Sequence, residues 1–160
     1  MKEKNGEHPF GDAGQLILLG LFLIVWIVDS FFLRISTLFA AYIPLYIRLI
    51  ILGIGLAKGI YLARSAHIVV SREHRLKGVK TDGAFRFLRH PLYAAGLQFY
   101  FGMTFVTCSL LSLGLFVVIW IFYDYIAGYE EKLMAQKFGD EYRTYMSRTG
   151  KWIPRLWARS

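Results

Sequence analysis

Long apolar stretches alternate with short polar ones along the chain. Leu16 to Leu33 (LILLGLFLIVWIVDSFFL) is apolar almost throughout, with Asp29 as its one charge. At 1.5 Å per residue these positions make a helix of about 27 Å, close to the roughly 30 Å hydrocarbon thickness of a bilayer. A signal peptide would need a basic leader. The first fifteen residues instead set Lys2 and Lys4 against Glu3, Glu7 and Asp12, so the segment reads as a retained helix, with Asp29 marking its far end. Pro44 to Ala63 (PLYIRLIILGIGLAKGIYLA) is the second apolar run, and Pro44 suits a helix start. Its Arg48 and Lys58 are expected near span ends, where long side chains can snorkel. Gly55 and Gly59 form a G-x-x-x-G pair suited to helix packing.

The third apolar region, Leu92 to Ala127, would be a single helix of about 54 Å, far longer than a bilayer requires. A break at Thr107-Cys108-Ser109, or at Ser112 to Gly114, folds it into a tight hairpin. Four spans follow, at about 16–34, 44–64, 92–107 and 110–128. Beyond Tyr129 the chain becomes charged and helical (EEKLMAQK). Phe138-Gly139-Asp140 supplies a stop and a new N-cap, a short helix runs to Arg148, and Gly150 ends it. Trp152 to Trp157 reads as an amphipathic interfacial tail. The expected fold is all-α: one polytopic membrane domain over residues 1–160, with about four transmembrane helices, a C-terminal hairpin and cytoplasmic C-terminal helices over 129–156.

Composition agrees with a membrane domain. Of 160 residues, 56% are hydrophobic and 19% charged, against about 25% charged in soluble domains. The single Cys108 excludes a disulfide scaffold, and four scattered histidines offer no metal-ligand spacing, so no metal is expected. The net charge of +8 falls on one side. Arg64 to Pro91 has seven basic residues and two acids, and residues 128 to 160 have seven and four. The opposite loops are almost uncharged, so the positive-inside rule puts both termini and the 64–91 loop in the cytoplasm. Charge spent on topology removes the main support for nucleic-acid binding. The short loops point to a bacterial or archaeal cell membrane.

Topology does not explain the detailed content of the 70–91 loop. Phe85, Phe87 and the string Arg89-His90-Pro91-Leu92-Tyr93 lead into span three, and Glu130-Glu131 closes span four. In a hairpin these ends are neighbours, so a His, a Tyr, an Arg and two acids should meet at one membrane–water boundary. His67 and His74 are expected on the solvated loop, and Tyr142 and Tyr145 in packing.

At these residues the chain resembles the superfamily of isoprenylcysteine carboxyl methyltransferases and phospholipid methyltransferases. The matching pieces are Thr81 to Gly96 (TDGAFRFLRHPLYAAG) and Tyr129 to Tyr145 (YEEKLMAQKFGDEYRTY), followed by Ile153-Pro154-Arg155. The resemblance covers roughly residues 45 to 156. It implies S-adenosylmethionine as methyl donor, bound between the 77–93 loop, the hairpin and the C-terminal helices. Carried over by position, His90, Pro91, Leu92 and Tyr93 match a cofactor-contacting stretch, and Phe85 stands where the family often has a contacting Tyr. Lys77, Gly78, Val79 and Lys80 match a lining segment, and Glu130 matches a cofactor-binding glutamate. Arg89 and Glu131 join the cofactor set.

The chemistry of the donor suits these residues. A glutamate can accept from its ammonium in a charge-assisted bond, Phe85, Phe87 and Leu92 can wall an adenine, and the rings of Tyr93 and Tyr129 suit a sulfonium. Backbone N–H groups at the helix start after Pro91 suit a carboxylate. No catalytic group is assigned; Tyr93, Asp124 and Tyr129 are candidates for positioning donor or acceptor. In the prenylcysteine branch an Arg one turn before the first Glu holds the substrate carboxylate, and Ile126 stands there instead. The implied partners are membrane lipids and a lipophilic or amphiphilic acceptor. Two rivals are a sterol-reductase-like enzyme using NADPH, which would be a much longer chain, and a non-enzymatic lipid-binding protein.

Overall fold

The computed structural model describes residues 11–72 and 78–155. Helix α1 (Gly11–Ile27) runs into a π-helical turn at Val28–Leu33, and α2 covers Leu45–Arg72. Helix α3 covers Pro91–Thr107, α4 Leu110–Phe138 and α5 Asp140–Arg148. The expected all-α membrane architecture is what forms. Three stretches, Gly11–Leu33, Leu45–Val69 and Leu110–Phe138, are long and apolar enough to cross a membrane. The fourth expected span, α3, has 17 residues, about 26 Å of helix, and packs along α2.

Two helices outrun their expected spans. Between Ala63 and Arg72 there is no Gly or Pro to stop α2, and the helix formers after Glu130 carry α4 on to Phe138. Lys58 therefore lies near the middle of α2 rather than near its end. Arg48 does not reach for a headgroup either. Its Nε donates to the Ile43 carbonyl at 3.0 Å and a terminal nitrogen donates to the Val106 carbonyl at 2.6 Å, satisfying the end of α3.

The hairpin breaks at Cys108, the first of the two expected places, where φ is 53° and the N–H bonds Phe105. Ser109 then caps α4, its Oγ accepting from Ser112 N–H at 3.1 Å. Asp29 does more than mark the end of a span. It is buried, and its carboxylate accepts from Ser36 Oγ at 2.5 Å, Ser109 Oγ at 2.6 Å and Ser36 N–H at 3.1 Å. This tie joins the α1–α2 connection to the hairpin turn. At the other end of α4, within the expected Phe138-Gly139-Asp140 stop, Gly139 (φ 57°) both ends α4 and caps α5. That backbone conformation favours glycine.

Phe22, Tyr100, Ile119 and Tyr123 form the core between α1, α3 and α4, with Phe22 edge-on to Tyr100 at 4.8 Å. Gly59 faces α3 so closely that a Cβ there would lie 3.4 Å from the Ala95 carbonyl, as the small-residue pair leads one to expect. Outward-facing side chains such as Phe32, 76% exposed, make a surface suited to lipid.

Ser109→Ala removes a helix cap and one of the donors to Asp29. We expect a loss of about 1–2 kcal/mol, read as a lower melting temperature in detergent; an unchanged melting temperature would contradict this role for the tie.

Candidate functional site

Helix α4 has 29 residues, about 43 Å, so its last turns extend past the hydrocarbon layer. Glu130 and Glu131 lie about 30 Å along it from Leu110, roughly one hydrocarbon thickness. Opposite them, Pro91 occupies the first position of α3, where its missing N–H costs nothing. His90 and Tyr93 then share one helix face, and their rings stack at 5.6 Å with planes 3° apart.

The hairpin closes the forty-residue gap as the sequence leads one to expect. Tyr93 OH donates to Glu130 Oε1 at 2.6 Å. His90 Nε2 lies 3.1 Å from Glu131 Oε1, and His90 Nδ1 lies 3.6 Å from Glu130 Oε2. Arg89 Nε donates to Glu131 Oε1 at 2.7 Å. A terminal nitrogen of Arg89 also donates to the carbonyls of Met146 at 3.2 Å and Thr149 at 2.5 Å. The Arg89 charge thus lies against Glu131 and the carbonyl end of α5. Glu130 has a phenol and an imidazole near it.

Residues 149–155 form a strap laid back over this cluster. Arg89 N–H bonds the Gly150 carbonyl at 2.9 Å, and Leu88 and Gly150 make a single parallel bridge. Gly150 has no room for a side chain, since a Cβ would lie 1.7 Å from the Ile153 carbonyl oxygen. The strap corrects the reading of Trp152 as part of an interfacial tail. Its indole N–H donates to Asp124 Oδ1 at 2.8 Å, and its ring stands 6.1 Å from that of His90. Asp124 also accepts from Lys151 Nζ at 2.5 Å. Sequence reasoning singled out Asp124 but missed both partners, because nothing in a short segment after α5 signals that it turns back. Trp157 lies outside the described residues.

The loop before α3 docks on α2 and α5. Gly83 (φ 57°) sits against Ser65 and Val69, and Ala84 N–H donates to Ser65 Oγ at 2.9 Å. Tyr145 OH donates to the Phe85 carbonyl at 2.7 Å, and Val79 N–H donates to Glu141 Oε1 at 3.3 Å. Glu141 is a contact that sequence reasoning did not identify. Burial, with Glu131 nearby, pushes the Tyr142 hydroxyl up to about 12, and burial pushes Tyr145 up as well. Both stay neutral at physiological pH, in keeping with packing roles. Phe87 and Leu92 are each about half exposed beside the cluster, Lys80 is half-buried, Gly78 is exposed, and Tyr129 stands on an exposed part of α4. Lys77 and His74 lie outside the described residues. Ile126, at the position of the Arg expected in the prenylcysteine branch, is fully buried.

Among curated proteins, the chain is 32% identical over 89 residues to protein-S-isoprenylcysteine O-methyltransferase B of Arabidopsis thaliana, covering 55% of this chain and 45% of that one. It is 34% identical over 95 residues to the protein-S-isoprenylcysteine O-methyltransferase of Schizosaccharomyces pombe, covering 56% and 38%. It is also 32% identical over 92 residues to methanethiol S-methyltransferase 1 of Bradyrhizobium diazoefficiens, covering 58% and 31%. The chain thus spans less than half the length of these relatives. Plants, a yeast and a bacterium are all represented, so the relatives do not support the expected prokaryotic origin. No solved structure matches. A family model described as phospholipid methyltransferase matches residues 45–141, more than half of the chain and the part that builds the hairpin and the acidic pair. The chain belongs to the phospholipid methyltransferase family.

Proposed function

We propose that the protein is an integral membrane methyltransferase that uses S-adenosylmethionine and a lipophilic or amphiphilic acceptor. The observation that carries this reading is the convergence of His90, Tyr93, Glu130 and Glu131 at one end of the hairpin. Arg89 meets Glu131 at 2.7 Å, and Glu130 meets Tyr93 and His90. A carboxylate at this boundary suits an ammonium, and the residues around it fit the rest of such a donor. Phe87 and Leu92 supply half-exposed apolar walls for an adenine. The start of α3, after Pro91, suits a carboxylate. When bound, S-adenosylmethionine supplies an electrophilic methyl group on a sulfonium centre.

In this reading the protein's own residues bind and align donor and acceptor. Glu130 and His90 hold the donor, and Tyr93 fixes the Glu130 carboxylate. Arg89 is a positioning residue that keeps Glu131, α5 and the strap in register. Gly78, Val79 and Lys80 line the approach, with Lys77 next in the chain. Alignment of donor and acceptor supplies most of the rate, and a general base is needed only for an acceptor that must lose a proton.

An apolar groove of about 210 Å³ between α2 and α3, lined by Gly55, Gly59, Ala63, Ala95 and Phe99, supports a hydrocarbon-bearing acceptor. The buried Ile126 argues against recognition of a prenylcysteine carboxylate by the route the resemblance implies. The relatives are named for isoprenylcysteine and for methanethiol, so an amine headgroup, a small thiol and an amphiphilic lipid are the acceptors to screen. The concentration of basic residues at this end supports a cytoplasmic site.

Glu130→Gln should weaken S-adenosylmethionine binding about 10- to 100-fold, the worth of a hydrogen bond to a charged group, with an unchanged melting temperature. Titration calorimetry on detergent-solubilised protein checks this, and wild-type affinity in the variant would remove Glu130 from the site. Arg89→Met should act on the fold instead, costing about 3 kcal/mol by leaving a buried carboxylate unpaired. The double variant Arg89→Met, Glu131→Met should regain much of that stability, and a double variant no more stable than Arg89→Met would contradict the pairing.

A further inference from the structure

We propose that Trp152 is a wall of the donor site that selects for the sulfonium charge, and that Asp124 is the positioning residue that holds it there. The proposal rests on the methyl-donor reading above and concerns a residue that the resemblance does not assign.

Trp152 belongs to the strap, yet it packs against the core formed by Phe22, Tyr100, Ile119 and Tyr123. Its indole centroid is 6.1 Å from that of His90, with planes 41° apart, and His90 stacks on Tyr93 over the two glutamates. A cation is attracted to an indole when it lies within about 6 Å of the ring centroid, and Trp is the strongest of the aromatic side chains in this role. A ligand atom seated against His90 on the side that faces Trp152 comes within that reach. Tyr129 is a poorer wall, being exposed on α4.

The indole is held at both ends of the strap. Upstream, Thr149 and Gly150 are fixed by Arg89, and Gly150 tolerates no side chain. At the ring itself, Asp124 Oδ1 accepts the indole N–H at 2.8 Å. Lys151 Nζ lies 5.7 Å from the same ring and 2.5 Å from Asp124 Oδ1. Asp124 therefore has two tasks. It orients the indole, and it offsets a lysine charge that would repel a second cation near that ring. An acid near the membrane end of α4 is costly unless it has such work.

A wall that reads charge separates S-adenosylmethionine from S-adenosylhomocysteine, which lacks only the methyl group and its positive charge. Binding of both ligands to full-length protein in detergent tests the idea. Trp152→Leu should lower S-adenosylmethionine affinity about 2- to 30-fold while leaving S-adenosylhomocysteine within about twofold. Trp152→Phe, which keeps a ring but loses the N–H, should fall between. Asp124→Leu should follow the same charge-selective pattern, and Asp124→Asn, which can still accept from the indole, should keep more of the selectivity. Retained S-adenosylhomocysteine binding reports that each variant is folded, and Trp152→Phe decides if Trp152→Leu does not fold. Equal loss of both ligands, or no loss of either, overturns the proposal while leaving the methyl-donor reading intact. A wild-type protein that binds neither ligand overturns both.

Discussion

The buried pairing of Arg89 with Glu131 is the interaction on which the rest of the site depends. One guanidinium contacts a carboxylate on α4 and two carbonyls at the end of α5, while the backbone of the same residue holds Gly150. The start of α3, the end of α4, the short α5 and the strap are thereby fixed to one another at a single point. Side-chain exposure of 10% for Arg89 and 11% for Glu131 means that neither charge has water to fall back on. The pairing commits Glu131 to structure, and Tyr93 and His90 meet the adjacent Glu130.

The membrane explains why a short chain can build such a site. An apolar region of 36 residues cannot cross once without leaving tens of ångströms of apolar helix in water, so it folds back on itself. Folding back brings position 90 against position 130. At the opposite end the tie from Asp29 through Ser36 and Ser109 anchors the turn of the same hairpin. The hairpin is thus secured by buried polar contacts at both ends, with an aromatic core between them.

Much of this was legible in the sequence. Hydropathy located the helices, the length of the third apolar region required the break near Cys108, and the hairpin placed His90 and Tyr93 beside the acidic pair. The illegible features share one physical origin. Arg48, Asp29 and Trp152 look in sequence like residues for a membrane edge, because each is a charged or amphipathic group near an apolar run. Each instead meets a polar partner that is distant in the chain: Val106, Ser109 and Asp124. In a membrane protein the alternative to the interface is a polar partner within the protein, and periodicity carries no information on which of the two is used. The strap was hidden for a related reason, since its direction depends on a glycine, Gly150, whose role is a close backbone approach.

Transfer of a labelled methyl group is the most direct test of the central claim. Purified protein in lipid nanodiscs, given S-adenosylmethionine labelled in the methyl group, is offered membrane lipid extract, a prenylcysteine and a small thiol in turn. Label should appear in a lipid-extract or thiol product, in preference to the prenylcysteine ester, and should be lost with Glu130→Gln. Absence of label from every acceptor, from protein that is folded and binds the donor, would contradict the assignment of this site to methyl transfer.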